Sequence, residues 1–309
     1  MHSDRLGAYG KFAQTAKTPT FIFLHPSGKI KMPISSPSHQ IREFSVLLPV
    51  YAGETSGNLE KCMDSIAAST CLPQQVVVVE DGPLPAELHK AIDAYHDILP
   101  LDNVRLRQNV GLADALNAGL QECECDTVAR CDADDINRAD RFQRQIDVLN
   151  NHAEIGIVGS DTTEFDAEGG TWRAGRRLPV SPDALAKFAR MRNPLNHPTI
   201  MYRRSVILSV GGYPNFQGLE DYALWVRCLL RGVKIMNIPE PLVHMRTGSS
   251  QFGRRRGLRY ARAELALARS FYESGFLDLS GYLFFLASRI PVRMLPAPLV
   301  ALVYRSALR

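Results

Sequence analysis

Two uninterrupted apolar runs limit the fold more than any other feature of the chain. Phe44-Ser-Val-Leu-Leu-Pro-Val-Tyr51 and Gln75-Val-Val-Val-Val79 carry hydrophobic side chains on both alternating faces, a pattern that suits strands whose sheet is covered on both sides. Between them Leu59, Cys62, Met63 and Ile66 recur at i, i+3, i+4 and i+7, one apolar stripe of a helix that ends before Pro73. Strand, helix and strand within this length make a βαβ unit with parallel strands.

The alternation continues with a helix near Ala86 to His96, a strand at Val104–Arg107, a helix from Gly111 to Cys123 and a strand ending at Asp132. A helix with Phe142, Ile146 and Leu149 on one face and a strand at Ile155–Gly159 follow. After Ser160 the pattern loosens. Expected there are a helix at Pro182–Met191 with Ser181 as its cap, a strand at Asn196–Tyr202 and a turn at Gly211-Gly-Tyr213. Gly218-Leu-Glu-Asp221 opens a helix with Tyr222, Trp225, Val226 and Leu229 toward the core; short strands at Val233–Asn237 and Leu242–Met245 and a polar loop at Arg246–Ser250 complete this part. The class is α/β, a mostly parallel Rossmann-like sheet with helices on both faces. Its ligands belong at the carboxyl ends of the strands, where Asp81 and Asp132 fall.

Charge separates the body from its flanks. Residues 41–250 hold 21 Lys/Arg against 28 Asp/Glu (−7), and residues 251–309 hold ten against three (+7). An acidic body argues against nucleic acid as its partner, and a basic, apolar tail seeks a surface. Arg254, Arg255, Arg256, Arg259 and Arg262 lie among leucines, and the apolar stretch from Leu279 is broken by Arg289, Pro291 and Arg293. It falls short of the ~18 to 20 apolar residues a membrane span needs. Residues 254–309 therefore read as a helical tail lying on a membrane surface, with a helical subdomain docked on the body as the other reading. Residues 1–40, rich in Ser, Pro, Lys and Gly, read as a poorly ordered leader without a secretory signal. Six cysteines without a CxxC pair read as thiols of a reduced, cytoplasmic protein.

The chemistry concentrates in Thr127-Val-Ala-Arg-Cys-Asp-Ala-Asp-Asp135, an apolar run that ends in three carboxylates. Clustered like charges are expected where a cation binds, and an all-oxygen set suits Mg²⁺ or Mn²⁺ with phosphate completing the shell. A calcium loop is excluded, because Ile136, Asn137 and Gln143 occupy its fifth, sixth and twelfth positions. A phosphatase of the haloacid dehalogenase type would carry Asp-x-Asp after its first strand, and here it follows the fourth. The remaining alternative is a polar loop capping the next helix through Asp135 or Asn137.

Five motifs in order resolve this choice: Phe44–Tyr51, Val79-Glu-Asp-Gly82, Asn109-Val-Gly-Leu112 with Asn117-Ala-Gly119, Cys131-Asp-Ala-Asp-Asp135 and Gly218-Leu-Glu-Asp221. The chain from about Phe44 to Ser250 thereby resembles the family-2 inverting glycosyltransferases of GT-A fold. Asn196-His-Pro-Thr199 and Gly211-Gly-Tyr213 resemble the exopolysaccharide and O-antigen branch, amylovoran-type enzymes included. The resemblance implies residues 41–160 as the nucleotide-sugar-binding half, 161–250 as the acceptor-binding half of the same domain and 251–309 as a basic helical tail.

It also implies roles. Asp134 is the direct metal ligand, Asp132 meets metal or ribose, and His244 completes the metal shell. Pro49, Tyr51, Glu80, Asp81, Arg107, Asn109, Gly111, Asp132 and Arg246 contact the nucleotide-sugar donor, Asp81 at the base and Arg246 at the diphosphate. Arg130 is a further candidate for the donor. Asp221 is the general base for a single inverting displacement, with Glu220 beside it. His197 is either on the acceptor side or a core histidine. The processive QxxRW signature is absent, so one sugar per encounter is expected. The implied function is transfer from a nucleotide sugar, UDP-linked by preference, to a polyprenyl-diphosphate-linked saccharide at the inner face of the cytoplasmic membrane. A sugar-1-phosphate nucleotidyltransferase lacks its basic glycine-rich loop here, since Tyr51–Asn58 has no Lys or Arg. A non-enzymatic nucleotide-sugar-binding module is the other alternative.

Overall fold

The computed structural model describes residues 40–166, 172–247 and 257–293. The leader, the Arg254–Arg256 cluster and residues 294–309 lie outside them. Four parallel strands make one half of the sheet: β1 (Ser45–Tyr51), β2 (Gln75–Asp81), β3 (Leu101–Arg105) and β4 (Thr127–Arg130), in the order β3-β2-β1-β4. Both faces of β1 and β2 are covered, as their apolar runs require. Val46, Leu48, Val76 and Val78 meet α1 (Ser56–Ala67) and α2 (Ala86–Asp93), while Leu47, Val77 and Val79 meet α3 (Leu112–Glu122) on the opposite face. Gly119 lets α3 approach closely, because a Cβ there would lie 2.4 Å from Val79 and 2.5 Å from Leu47.

The second half differs from the local reading. After the two-residue β5 (Ile136–Asn137) and α4 (Arg141–Asn151), the chain enters β6 (Ile155–Asp166), to which β7 (Trp172–Ala174) pairs, and then α5 (Pro182–Phe188). The strand expected at Asn196–Tyr202 is a 3-10 turn at His197–Thr199 followed by β8, only Met201–Arg203. Pro198 at the start of that turn favours it over a ladder position. β8 sits antiparallel between β4 and β6 and joins the halves of the sheet. Beyond α6 (Arg204–Ser209) and α7 (Glu220–Leu230), the two short strands expected near Val233 and Leu242 form one strand, β9 (Lys234–Thr247), parallel to β6. Register shifts at Ser160/Asp161 and Asp161/Thr162 carry the ladder past Pro239 and Pro241, which have no N–H to contribute. The outermost pair is β5 antiparallel to β9, so Ile136 lies opposite His244.

The tail is a helix pair, α8 (Gly257–Glu273) and α9 (Leu279–Arg293), docked on α7. Leu267, Phe271, Phe276 and Phe285 pack against Tyr222, Ala223 and Val226. Glu264, fully buried, receives Arg289 at 2.9 Å and Arg293 at 2.7 Å. Of the two readings of the tail, docking on the body is thus present. Its outward side still carries exposed Leu258, Leu265, Leu279, Leu283 and Phe284. Among the described residues, no helix is long and apolar enough to cross a membrane.

Candidate active site

The carboxyl ends of β1, β2 and β4 open on one side of the sheet, and the loops after them carry the acidic residues. β4 stops at Arg130, two residues short of the expected end, and Asp135 N–H donates to the Asp132 carbonyl at 3.3 Å to close a turn. That turn gathers Asp132, Asp134 and Asp135 so that one carboxylate oxygen of each lies within 4.8 Å of the others. Burial pushes the Asp134 carboxyl up to about 7, with Asp132 and Glu54 adding like charge. Burial likewise raises Asp135, followed by Asp132 and Asp134. Such a group is costly without a cation. Its all-oxygen donor set fits a hard divalent ion that keeps room for phosphate.

The cluster is braced from behind. Arg130, 1% exposed, grips Asp132 with both terminal nitrogens, Nη1 donating to Oδ2 at 2.7 Å. Arg130 is thus a support beneath Asp132. Arg246 borders the other side: its N–H donates to Asp135 Oδ1 at 2.8 Å and its Nε to the Asp134 carbonyl at 3.2 Å. Asp135 therefore holds β9 against the turn, in addition to its place in the carboxylate group.

Asp81 ends β2 and faces the loop before α3. Its Oδ1 accepts from Val110 N–H at 2.7 Å and its Oδ2 from Asn109 Nδ2 at 3.0 Å and Gly111 N–H at 3.1 Å. Three of its roughly four acceptor positions are engaged in holding that loop. Gly82 has φ +86°, and a Cβ there would meet Asn109 N at 2.5 Å. Glu80 points the other way, 3% exposed, between His89 at 3.0 Å and Arg105 at 3.0 Å. Arg107, expected in the strand, is exposed in the loop beyond β3, and Tyr51 is exposed at the end of β1 beside half-buried Pro49.

Asp221 lies in the first turn of α7, where the helix dipole favours an anion. Its Oδ2 accepts from Asn193 Nδ2 at 2.5 Å and its Oδ1 from Tyr222 N–H at 2.7 Å. Glu220 is buried beside it, and burial raises its carboxyl, with Asp221 second. The charge of Arg130, which bonds Asp132, also reaches Glu220, where it weakly opposes the rise.

A family model described as glycosyl transferase family 2 matches residues 45–211 of the 309. The chain belongs to this family. Among its family-2 relatives is the amylovoran biosynthesis glycosyltransferase AmsE of Erwinia amylovora, 38% identical over 264 residues, 84% of this chain and 97% of the relative. A second is the Escherichia coli UDP-Gal:alpha-D-GlcNAc-diphosphoundecaprenol beta-1,3-galactosyltransferase, 33% identical over 86% of this chain and 97% of that protein. Staphylococcus aureus TarS 1–349 in complex with UDP-GlcNAc superposes with a TM-score of 0.60 at 17% identity, covering 81% of this chain and 72% of TarS 1–349. The mannosyltransferase PcManGT of Pyrobaculum calidifontis, in complex with GDP-Man and Mn²⁺, gives a TM-score of 0.52 at 19% identity over 91% of this chain and 85% of that one. These likenesses are of fold, the GT-A arrangement.

In this glycosyltransferase two histidines have separate settings. His197 packs against Tyr213 and Trp225, at ring distances of 5.5 and 6.0 Å, and burial pushes its pKa well down, with Arg130 adding to the effect. It is a neutral core histidine. His244 presents Nδ1 to Thr163 Oγ1 at 2.5 Å, and lies outside the three-carboxylate group. Local sequence reading missed Glu54, which faces Asp134 from the loop after β1, and Asn193. An acid between Gly53 and Gly57 was a visible signal for the first; the second had none.

Proposed function

We propose that this chain is a metal-dependent inverting glycosyltransferase that moves one sugar from a UDP-sugar to a polyprenyl-diphosphate-linked saccharide. The observation that carries the reading is the Asp221 carboxylate at the start of α7, fixed by Asn193 and the Tyr222 amide. Asp134 and Asp132 would hold Mg²⁺ or Mn²⁺, and such an ion would supply positive charge against a leaving diphosphate. Asp221 takes the proton of the acceptor hydroxyl, the acceptor oxygen bonds to the anomeric carbon, and the bond from that carbon to the diphosphate breaks on the opposite face. Nucleoside diphosphate and an inverted glycoside result. The 109–111 loop held by Asp81 seats the nucleotide, and Arg246 meets its diphosphate.

The name of the Escherichia coli relative supports a diphosphate-linked lipid acceptor and a UDP donor. The outward leucines and Phe284 of α8 and α9, with the +7 charge of residues 251–309, bring the body to the inner face of the cytoplasmic membrane as a peripheral protein. The test is Asp221→Asn, assayed for transfer and for UDP affinity with a donor panel. Loss of a general base lowers turnover by about 10² to 10⁴ while UDP binding holds. Transfer at the wild-type rate would remove Asp221 from this role.

A further inference from the structure

Arg141, in the first turn of α4, is a fully buried cation that neither the donor nor the acceptor chemistry uses. Each of its N–H groups has an acceptor, and none of those acceptors is a carboxylate. Nε donates to Gln145 Oε1 at 3.1 Å, Nη1 to Asn137 Oδ1 and to Cys131 Sγ at 3.4 Å, and Nη2 to the Arg130 carbonyl at 2.7 Å and the Ile200 carbonyl at 3.3 Å. Burial pushes the guanidinium below its ordinary value. A charge held in this way is costly, and an apolar side chain of similar volume would fill the space at less cost. Packing alone therefore does not account for an arginine here.

The acceptors share a position. Arg130 and Cys131 lead into the carboxylate turn and Asn137 leads out of it, so one guanidinium holds both ends of the segment that carries Asp132, Asp134 and Asp135. Asn137 is itself fixed to α1, its N–H and its Nδ2 both donating to Ser65 Oγ at 3.0 Å. Gln145, one helical turn further along α4 and also fully buried, donates to the Val158 carbonyl at 3.2 Å and the Thr199 carbonyl at 2.7 Å. The segment that offers the Thr199 and Ile200 carbonyls is anchored in turn: Asn196 Nδ2 donates to the Ser160 carbonyl and Ser160 N–H to Thr199 Oγ1, each at 2.9 Å. The Asn196–Thr199 motif thus gives the clamp a fixed far side on β6.

We propose that Arg141 is a positioning residue for the metal site, its planar fork setting the spacing of the Asp132–Asp135 carboxylates to a small divalent ion. This rests on the metal-dependent reading above. Mg²⁺ takes oxygen ligands at about 2.0–2.1 Å in near-ideal octahedral geometry, whereas the larger Ca²⁺ accepts about 2.3–2.6 Å and irregular shells. A turn pinned at both ends favours the smaller ion, and a slack one gives that preference up. Lysine is no substitute, because an ammonium keeps the charge and loses the fork.

The test titrates the full chain by calorimetry with Mn²⁺ alone and with Ca²⁺ alone. Arg141→Lys should weaken Mn²⁺ by about tenfold or more and Ca²⁺ by clearly less, so that the ratio of the two narrows. In the metal-free chain the amides of Asp135 and Asn137, both bonded within the turn or to α1, should exchange their hydrogens faster than in wild type, while those of β1 hold. Leu149→Ala, a core change two helical turns along α4, is the control and should leave the Mn²⁺ to Ca²⁺ ratio as it was. If Arg141→Lys fails to fold, Gln145→Met, which removes the Nε acceptor alone from Arg141, is read in the same way. A wild-type ratio in the folded variant, an equal loss for both ions, or a ratio that Leu149→Ala also narrows overturns the proposal. A wild-type chain that binds neither ion sinks the metal-dependent reading instead, and the exchange of the turn amides still decides whether Arg141 holds the turn.

Discussion

Replacing Glu264 with alanine should release much of the energy that holds the C-terminal helix pair to the body. The carboxylate is fully buried and accepts from Arg289 Nη1 at 2.9 Å, Arg293 Nη2 at 2.7 Å and Arg293 Nε at 3.0 Å. Its removal takes from two guanidinium groups, 16% and 6% exposed and beside an apolar cluster, the buried carboxylate that they share. Removing one partner of a buried ion pair costs about 3–5 kcal/mol. Arg289 keeps the Met191 carbonyl and some water, so the lower end, about 3 kcal/mol, applies. Urea unfolding followed through Trp225, which is buried on α7 against the docked pair's neighbours, should show that loss with an unchanged denaturant slope. Glu264→Leu combined with Arg293→Met should recover most of it, since apolar groups can replace a buried pair at little cost. A single variant within about 1 kcal/mol of wild type, or a double variant as unstable as the single, would refute the view that uncompensated charge is the cause.

Other outcomes follow from the site. Mn²⁺ at a hundredfold excess over its dissociation constant should stabilise the protein by about 2.7 kcal/mol, and Asp134→Asn should abolish that gain in a thermal melt. Gly82→Ala, at φ +86° with a Cβ 2.5 Å from Asn109 N, should displace the 109–111 loop and weaken UDP binding by about tenfold or more for ~2 kcal/mol of strain, read by calorimetry. Leu283→Glu with Phe284→Glu, both 56% exposed on α9, should lower binding to vesicles containing anionic lipid while leaving the urea midpoint unchanged. Removing the whole tail is a poorer probe, because Phe271 and Phe285 cover Tyr222.

The parallel half of the sheet was legible because β1 and β2 are buried on both faces, and burial on both faces leaves a continuous apolar run. The order of acidic strand ends, and with it the gathering of Asp132, Asp134 and Asp135, was legible for the same reason. β8 was not. Three residues cannot display a period, and its place between β4 and β6 is set by pairing with strands over 40 residues away. Asp81 carried a turn-forming signal, yet its bonds to residues 109–111 depend on a loop nearly 30 positions later. Asn193 was invisible because it has no local pattern; the fold alone brings it to Asp221.

Arg130 has a consequence for how this enzyme can change. Its side chain is bonded to Asp132 and its charge is felt at Glu220, His197 and Asp135. A substitution that alters the charge at one end of the site therefore alters the field at the other, and free energies of variants at Asp132 and Glu220 should fail to add. On the roles proposed for these residues, donor and acceptor preferences would drift together, since a mutation tolerated at one end depends on which residue already occupies the other.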